Sequence, residues 1–435
     1  MFEWSETDVM VRDAVRTFID KEIRPHLDAL DSGEMLPYPI IRKLFSEFGI
    51  DAMGGEAIEK LIAKQRAKEA ALAAGETAPE KKKSSGGSPF SGQESLMAVL
   101  ISELSGVCMG LVTAMGVSIG LGATTIMSRG TLAQKERWLA DIVTMKKVAA
   151  WAITEPDSGS DAFGGMKTYV KRDGEDYILN GQKTFITNGP FADVMIVYAK
   201  LDEGPSIAQR SDEGRGSGDG RAGADKRERR VLTFVLDKGM EGLSQGKPFK
   251  KMGLHASPTG ELFFDNVRVG RDRLLGETEE HKGGDGRESA RSSFTAERIG
   301  VAFMALGIID ECHRLCVEYA KSRKLWGQEI GRFQLVQLKL AKMEIARINV
   351  QNMVFNALER GRAGKPPTLA EASAMKLYCS EAATEVAMEA VQLFGGNGYM
   401  TEYRVEQLAR DAKSLMIYAG SNEIQVTHIA KALLS

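Results

Sequence analysis

A few widely separated stretches of this chain carry side chains able to do chemistry. Near the C-terminus stands Tyr418-Ala419-Gly420-Ser421-Asn422-Glu423, a small, backbone-rich turn after an aromatic hydroxyl. The position after the tyrosine, where a carboxylate would serve as a base, holds Ala419, and a methyl group takes no proton. Far upstream, Thr295-Ala296-Glu297-Arg298 supplies a carboxylate, Glu297, beside a guanidinium. On position alone Glu297 also reads as an acid steadying a helix start or pairing with Arg298. Two further runs suit a flat ligand. In Trp151-Ala152-Ile153-Thr154-Glu155-Pro156-Asp157-Ser158-Gly159-Ser160-Asp161, small residues let backbone approach a ligand while Thr154 and Ser160 offer hydroxyls and amides. In Lys183-Thr184-Phe185-Ile186-Thr187-Asn188-Gly189, Phe185 can cover a ring and Thr187 can bond its polar edge. Either run alone equally describes a polar turn beside a strand.

The elements that must position these groups change character along the chain. From Ser5 to Ile50 the apolar spacing is helical, with Pro37 and Pro39 at a join where proline opens a helix. A second helical block runs from Glu94 to about Thr144, broken near Gly120, Gly122 and Gly130. After Val148 come short β-branched runs at Tyr177–Leu179, Val194–Tyr198, Val231–Leu236 and Leu262–Phe264, separated by turn signals such as Asn180-Gly181. From Phe294 to Leu434 long helical segments return. The expectation is an α+β chain: an N-terminal all-α domain over 1–147, a middle antiparallel β-barrel domain over 148–272 and a C-terminal four-helix bundle over 273–435.

Bulk properties exclude several classes. The chain has 435 residues, 43% hydrophobic and 27% charged, with a formal net charge of -2, so no global basic field invites nucleic acid. The 4 cysteines form no disulfide framework, and the Cys312/Cys316 pair has no second pair nearby, so ordinary thiols and no metal are expected. The opening residues lack a secretory signal, and the apolar stretch Leu111–Met127, rich in small residues and closed by Arg129, reads as buried helix rather than a transmembrane span. The expected location is cytoplasmic, or an organellar matrix for a processed form. Residues 56–89 read as an exposed charged helix leading into a flexible basic linker, and 203–230 as a mobile loop. Neither a P-loop nor a Gly-x-Gly-x-x-Gly fingerprint in a βαβ setting is present.

Taken in order, these segments resemble the acyl-CoA dehydrogenase family. Thr154-Glu155-Pro156 followed by Gly159-Ser160-Asp161 matches one signature; Gly395-Gly396-Asn397-Gly398-Tyr399 and Arg410-Asp411-Ala412-Lys413 match another region. Arg323-Lys324-Leu325-Trp326-Gly327 and Phe333-Gln334 lie between them in the family's order. The match spans nearly the whole chain outside the two insertions. It implies a three-domain flavoprotein, a homotetramer or related dimer, with FAD between the β domain and the C-terminal bundle. By position, Trp151, Ile153 and Thr154 match residues near the isoalloxazine ring, Ser160 a residue of the flavin–CoA region, and Phe185 and Thr187 the ring-covering and flavin-bonding pair. Arg323, Trp326 and Gln334 correspond to residues that meet the FAD of a neighbouring subunit. Gly395, Gly396 and Gly398 would admit close backbone approach, and Ser421 and Glu423 match the adenosine-diphosphate side. Arg298 and Gly420 join Ser160 on the substrate side.

The resemblance also gives Ala419 a meaning. Much of the family carries its catalytic glutamate after the tyrosine, whereas enzymes resembling isovaleryl-CoA and long-chain acyl-CoA dehydrogenases carry it at the start of a bundle helix, where Glu297 stands. The Ala419 backbone N–H would still polarise the thioester carbonyl, and a base beside an acyl chain should have a raised pKa through desolvation. His255 occupies a position where family members commonly have arginine, and a non-catalytic role is expected of it. The acyl pocket is expected to use the 99–115 helix, with Gly106, Gly110 and Ala114 leaving room. The implied activity is FAD-dependent α,β-dehydrogenation of an acyl-CoA to trans-2,3-enoyl-CoA, in fatty acid and lipid metabolism, with electrons passed to an electron-transfer flavoprotein. An acyl-CoA oxidase and a catalytically inactive flavin-binding scaffold stay open as alternatives.

Overall fold

The computed structural model describes residues 4–75, 94–203, 229–281 and 284–435. The lysine-rich stretch expected as a linker and nearly all of the expected loop at 203–230 lie outside the described residues. The N-terminal part is helical, as the apolar spacing requires. Helix α1 (Glu6–Phe18) starts with a capping box, the Ser5 hydroxyl accepting the Asp8 N–H at 3.1 Å and the Asp8 carboxylate accepting the Ser5 N–H at 2.9 Å. Helices α2 (Leu27–Ser32) and α3 (Tyr38–Glu47) follow, α3 opening behind Pro37 with Pro39 in its first turn. Helix α4 (Ile50–Ala73) is the expected solvated, charged helix: only Ile50, Gly54 and Ile58 are buried along it. After α5 (Glu94–Met115) the chain passes through a π-helical segment, α6 (Thr124–Arg129) and α7 (Leu132–Val143).

Seven strands then build one sheet: β1 (Ala149–Ala152), β2 (Tyr169–Asp173), β3 (Asp176–Thr187), β4 (Val194–Leu201), β5 (Val231–Asp237), β6 (Leu243–Gln245) and β7 (Thr259–Val269), ordered β1-β4-β2-β3-β7-β6 with β5 also on β4. The α+β plan holds, but the sheet is mixed rather than antiparallel throughout: β4 runs parallel to both β1 and β2. The chain between β1 and β4 contains β2 and β3, and that between β2 and β4 contains β3, so each parallel pair has the long crossover it needs. Apolar alternation along a strand reveals the buried face but not the direction of its neighbour, which is why the sequence reading missed these pairs. All of β4 is buried. Met195, Val197 and Ala199 face one core with Leu232 and Phe234, while Val194, Ile196 and Tyr198 face another with Trp138 and Ile142 of α7.

The C-terminal part holds α8 (Gly286–Ser322), a short hairpin of β8 (Lys324–Leu325) and β9 (Gln328–Glu329), α9 (Gln334–Arg362), α10 (Leu369–Phe394), α11 (Val405–Ser414) and α12 (Asn422–Leu434). It is a helical bundle of three long helices, with the two short ones in place of a single fourth. The four cysteines are free and buried, Cys312, Cys316 and Cys379 among the apolar residues of the bundle. Among the described residues two helical stretches, Glu94–Arg129 and Gly286–Ser322, are long and apolar enough to cross a membrane, but 72% and 53% of their most apolar windows are buried inside the fold. They serve as its core helices.

Glycine fixes how α5 meets its neighbours. A Cβ on Gly307 of α8 would lie 2.0 Å from the Ser102 carbonyl oxygen, and one on Gly106 would lie 2.8 Å from that of Gly307. A Cβ on Gly110 would strike the Ala256–Ser257 backbone at 2.9–3.0 Å. The sequence reading expects Gly106 and Gly110 to leave room for an acyl chain; the structure shows that they do not. Their space is filled by the protein's own backbone.

Candidate active site

The first ligand-suited run lies on β1 and the turn that follows it, the second on β3, and the fold binds them together. The Thr184 N–H donates to the Thr154 carbonyl at 3.0 Å. Below them, Lys183 donates to the Ile153 carbonyl at 3.1 Å and to the Glu155 carboxylate at 2.8 Å, both side chains almost wholly buried. Desolvation opposes charge on Glu155, yet Lys183 and the donors at Thr168 and Lys167 hold its carboxyl below the ordinary value. The Trp151 indole donates to the Tyr198 hydroxyl at 3.2 Å. Phe185, held at φ 56° and 67% exposed, leans on Phe249 at 5.7 Å. Trp151, Ile153, Thr154, Phe185 and Thr187 thus share one region; Ser160 sits exposed on the adjoining turn.

Glu297 lies about three turns inside α8, whose N-cap is Asp285, its carboxylate accepting the Arg287 N–H at 2.9 Å. It is therefore no helix-start acid. Nor is it an ion-pair partner: no ion pair or hydrogen bond to its carboxylate is found among the described residues, and the buried Arg298 donates to the Ser373 hydroxyl at 3.1 Å instead. Glu297 touches some solvent but is densely surrounded. Desolvation pushes its carboxyl up to about 7, against the opposing pull of Arg298 and Lys376.

The 418–421 turn lies close to Glu297 and Arg298. A Cβ built on Gly420 would lie 3.6 Å from the Arg298 guanidinium, and Glu297 raises the Tyr418 hydroxyl further above its burial-raised value. Ala419 is held at φ 57° and Gly420 at φ 78°, left-handed backbone that costs a non-glycine residue free energy. Gln425 donates to the Ala419 and Gly420 carbonyls at 3.1 and 2.6 Å, and Lys376 donates to the latter at 2.9 Å. The Ala419 N–H has no acceptor among the described residues. Tyr418 donates to the Met304 sulfur at 3.3 Å, over the α8 face two turns beyond Glu297.

The remaining candidates gather at the far end of the bundle. Arg323 ends α8, its carbonyl accepting the Ile330 N–H at 2.9 Å across the β8–β9 hairpin. Trp326 tips that hairpin, 88% exposed, with its edge against Phe333 at 5.6 Å; exposed Gln334 begins α9. The glycine turn joins this end through Asn397, which donates to the Tyr319 hydroxyl at 2.9 Å. A Cβ on Gly395 or Gly396 would meet nothing within 4 Å, so their backbone is open to a ligand. Gly398 differs: its Cβ would lie 2.4 Å from the Val391 carbonyl oxygen, so internal packing alone explains that glycine. No hydrogen bond, ion pair or ring contact among the described residues joins this group to the 151–187 segments. Ser421 and Glu423 stand at the start of α12, by the Ala419 turn.

His255 bridges two elements. One ring nitrogen lies 2.6 Å from the Asp31 carbonyl oxygen at the end of α2, the other 2.7 Å from that of Lys251. Asp411 accepts the Leu254 N–H at 2.6 Å, docking the same loop on α11. Sequence reasoning missed Lys376, Ser373, Asn422 and Gln425 as parts of the site. The available signal was the polar stripe Ser373-x2-Lys376-x3-Ser380 among the otherwise apolar buried residues of α10.

Comparison with known proteins is extensive. Models of the acyl-CoA dehydrogenase N-terminal, middle and C-terminal domains match residues 55–146, 150–267 and 284–434. The short-chain specific acyl-CoA dehydrogenase of Megasphaera elsdenii is 37% identical over 80% of this chain and 84% of its own. A subunit of the caffeyl-CoA reductase–Etf complex of Acetobacterium woodii is 31% identical over 99% of both. The solved structure of butyryl-CoA dehydrogenase from Megasphaera elsdenii superimposes with a TM-score of 0.80 at 31% identity, covering 100% of each chain.

Proposed function

The chain belongs to the acyl-CoA dehydrogenase family and is an FAD-dependent oxidoreductase, and we propose that it converts a short-chain acyl-CoA to its trans-2,3-enoyl-CoA with Glu297 as the base. The observation that carries this reading is the state of Glu297: unpaired, densely enclosed, with a pKa raised to about 7, beside the turn that carries Ala419. A carboxylate in that range is a stronger base than an ordinary one and is still ionised in good part at neutral pH. It takes the Cα proton. The free Ala419 N–H donates to the thioester carbonyl as enolate-like charge grows on it. Arg298 and Gly420 shape the substrate side, with Ser160 towards the CoA. The short-chain assignment follows the short-chain specific and butyryl-CoA relatives.

The residues present suit the cofactor. Phe185 presents an uncovered ring beside Trp151, Ile153, Thr154 and Thr187, and Gly395–Gly396 presents open backbone. When bound, FAD supplies the acceptor for the hydride leaving Cβ. Arg323, Trp326 and Gln334, remote from the β segments in contacts, meet the cofactor of a second copy, with Ser421 and Glu423 towards the adenosine diphosphate. Leu335, Leu338, Ile345 and Ile348, all more than 40% exposed along one face of α9, support a homo-oligomer. The relative from an Etf complex supports an electron-transfer flavoprotein as acceptor.

The test is an anaerobic absorbance titration with acyl-CoAs from short to long, straight and branched. Rapid bleaching of the flavin by butyryl-CoA is expected, with faster reoxidation by an electron-transfer flavoprotein than by air. Bleaching by no member of the panel would sink the enzyme reading, and reoxidation fastest in air would move it to the oxidases.

A further inference from the structure

We infer that Lys376 is a positioning residue for this reaction: from α10 it fixes the turn that presents the Ala419 N–H and sets the charge environment of Glu297. The inference rests on the reading of Glu297 as base. The Lys376 side chain is wholly buried, and its ammonium donates to the Gly420 carbonyl at 2.9 Å and to the Asn422 side-chain oxygen at 2.8 Å. Its two helical neighbours complete one grip. Ser380, a turn later, donates to the same Asn422 oxygen at 3.1 Å; Ser373, a turn earlier, accepts the Arg298 guanidinium at 3.1 Å. A single polar stripe therefore holds the turn and the arginine beside Glu297 together.

Satisfying the Gly420 carbonyl does not require a buried ammonium, because Gln425 already donates to it at 2.6 Å. Burying a charge is costly, and a methionine of similar shape would pack there. What lysine adds is the link to Asn422 and a positive charge. Facing that charge are Arg298 and Glu297 on α8, Glu381 on α10 and Glu423 on α12; facing Glu297 are Arg298, Lys376 and Tyr418. Burial lowers Lys376 to about 8, and its charge works against the burial that raises Glu297.

The test compares Lys376→Met, Lys376→Arg and Glu297→Gln as FAD-loaded proteins. Flavin reduction is followed against pH, and enoyl-CoA binding is read from the flavin spectrum. Lys376→Met should slow reduction by roughly 10-fold or more through loss of amide alignment. It should also move the pH midpoint upward by roughly half a unit or more, with enoyl-CoA binding changed by less than about 3-fold. Lys376→Arg should restore the midpoint. An unmoved midpoint, or reduction by Lys376→Met within about 2-fold of wild type, overturns the proposal. Should Lys376→Met fail to hold FAD, Ser380→Ala carries the test, since it loosens Asn422 and keeps the charge: slower reduction at an unmoved midpoint is expected, and an unchanged rate overturns it. An inert Glu297→Gln beside a normal Lys376→Met removes only the positioning role. A normal Glu297→Gln removes the base assignment and this inference with it.

Discussion

Arg298 donates to the Ser373 hydroxyl on α10, at 3.1 Å, and forms no ion pair with its neighbour Glu297. That choice leaves the carboxylate close to a positive charge without an ion pair, so desolvation dominates and the pKa rises to about 7. A direct pair would have opposed the desolvation, lowered the carboxyl's pKa and made it a weaker base.

The first consequence is kinetic. Only the ionised form of Glu297 accepts a proton, so single-turnover flavin reduction by acyl-CoA should rise with pH through a midpoint near the value of about 7. Reduction already at its maximum near about pH 5, where an ordinary glutamate is ionised, would contradict this.

A second consequence concerns stability. Because the folded-state pKa is raised, the folded protein holds a proton that the unfolded chain releases between 4.5 and about 7, and stability from this group is lost as pH rises through that window. Glu297→Gln removes the effect. The variant should gain on wild type by on the order of 3 kcal/mol above the window relative to below it, in urea unfolding at the two pH values.

Close packing of α5 on α8 gives a third. Gly307→Ala places a Cβ 2.0 Å from the Ser102 carbonyl oxygen and should cost about 2–3 kcal/mol in urea unfolding. Gly361→Ala, whose Cβ meets nothing within 4 Å, should be neutral or stabilising by less than about 1 kcal/mol. Equal effects would refute the crossing geometry.

The buried pair under the β1–β3 region gives a fourth. Glu155→Gln leaves the Lys183 ammonium buried without its carboxylate, a change that should cost about 3 kcal/mol and weaken FAD retention on gel filtration. A melting point and FAD content equal to wild type would show the pair to be dispensable.

Much of this was legible in the sequence because local rules act locally. Pro37 and Pro39 marked the start of α3, the apolar spacing marked the helices, and the absent carboxylate at Ala419 directed attention to Glu297. What was not legible depends on partners distant along the chain. The parallel pairing of β4 with β1 and β2 leaves no trace in strand periodicity. Gly106 and Gly110 read as room for substrate, yet Gly307 and Ala256 occupy that room. Gly398 matched a cofactor motif, and the sequence did not show that the Val391 carbonyl at the end of α10 also leaves no space for a side chain there. Lys376 carried no reading from the sequence, because its contact with the Gly420 carbonyl lies 44 residues away.

The central claim is that Glu297 removes the α-proton, and the most direct measurement is anaerobic stopped-flow flavin reduction of FAD-loaded Glu297→Gln by butyryl-CoA beside wild type. Glutamine keeps the shape and leaves no base, so FAD content should be preserved and the reduction rate should fall by at least about 100-fold. Reduction at close to the wild-type rate would contradict the account.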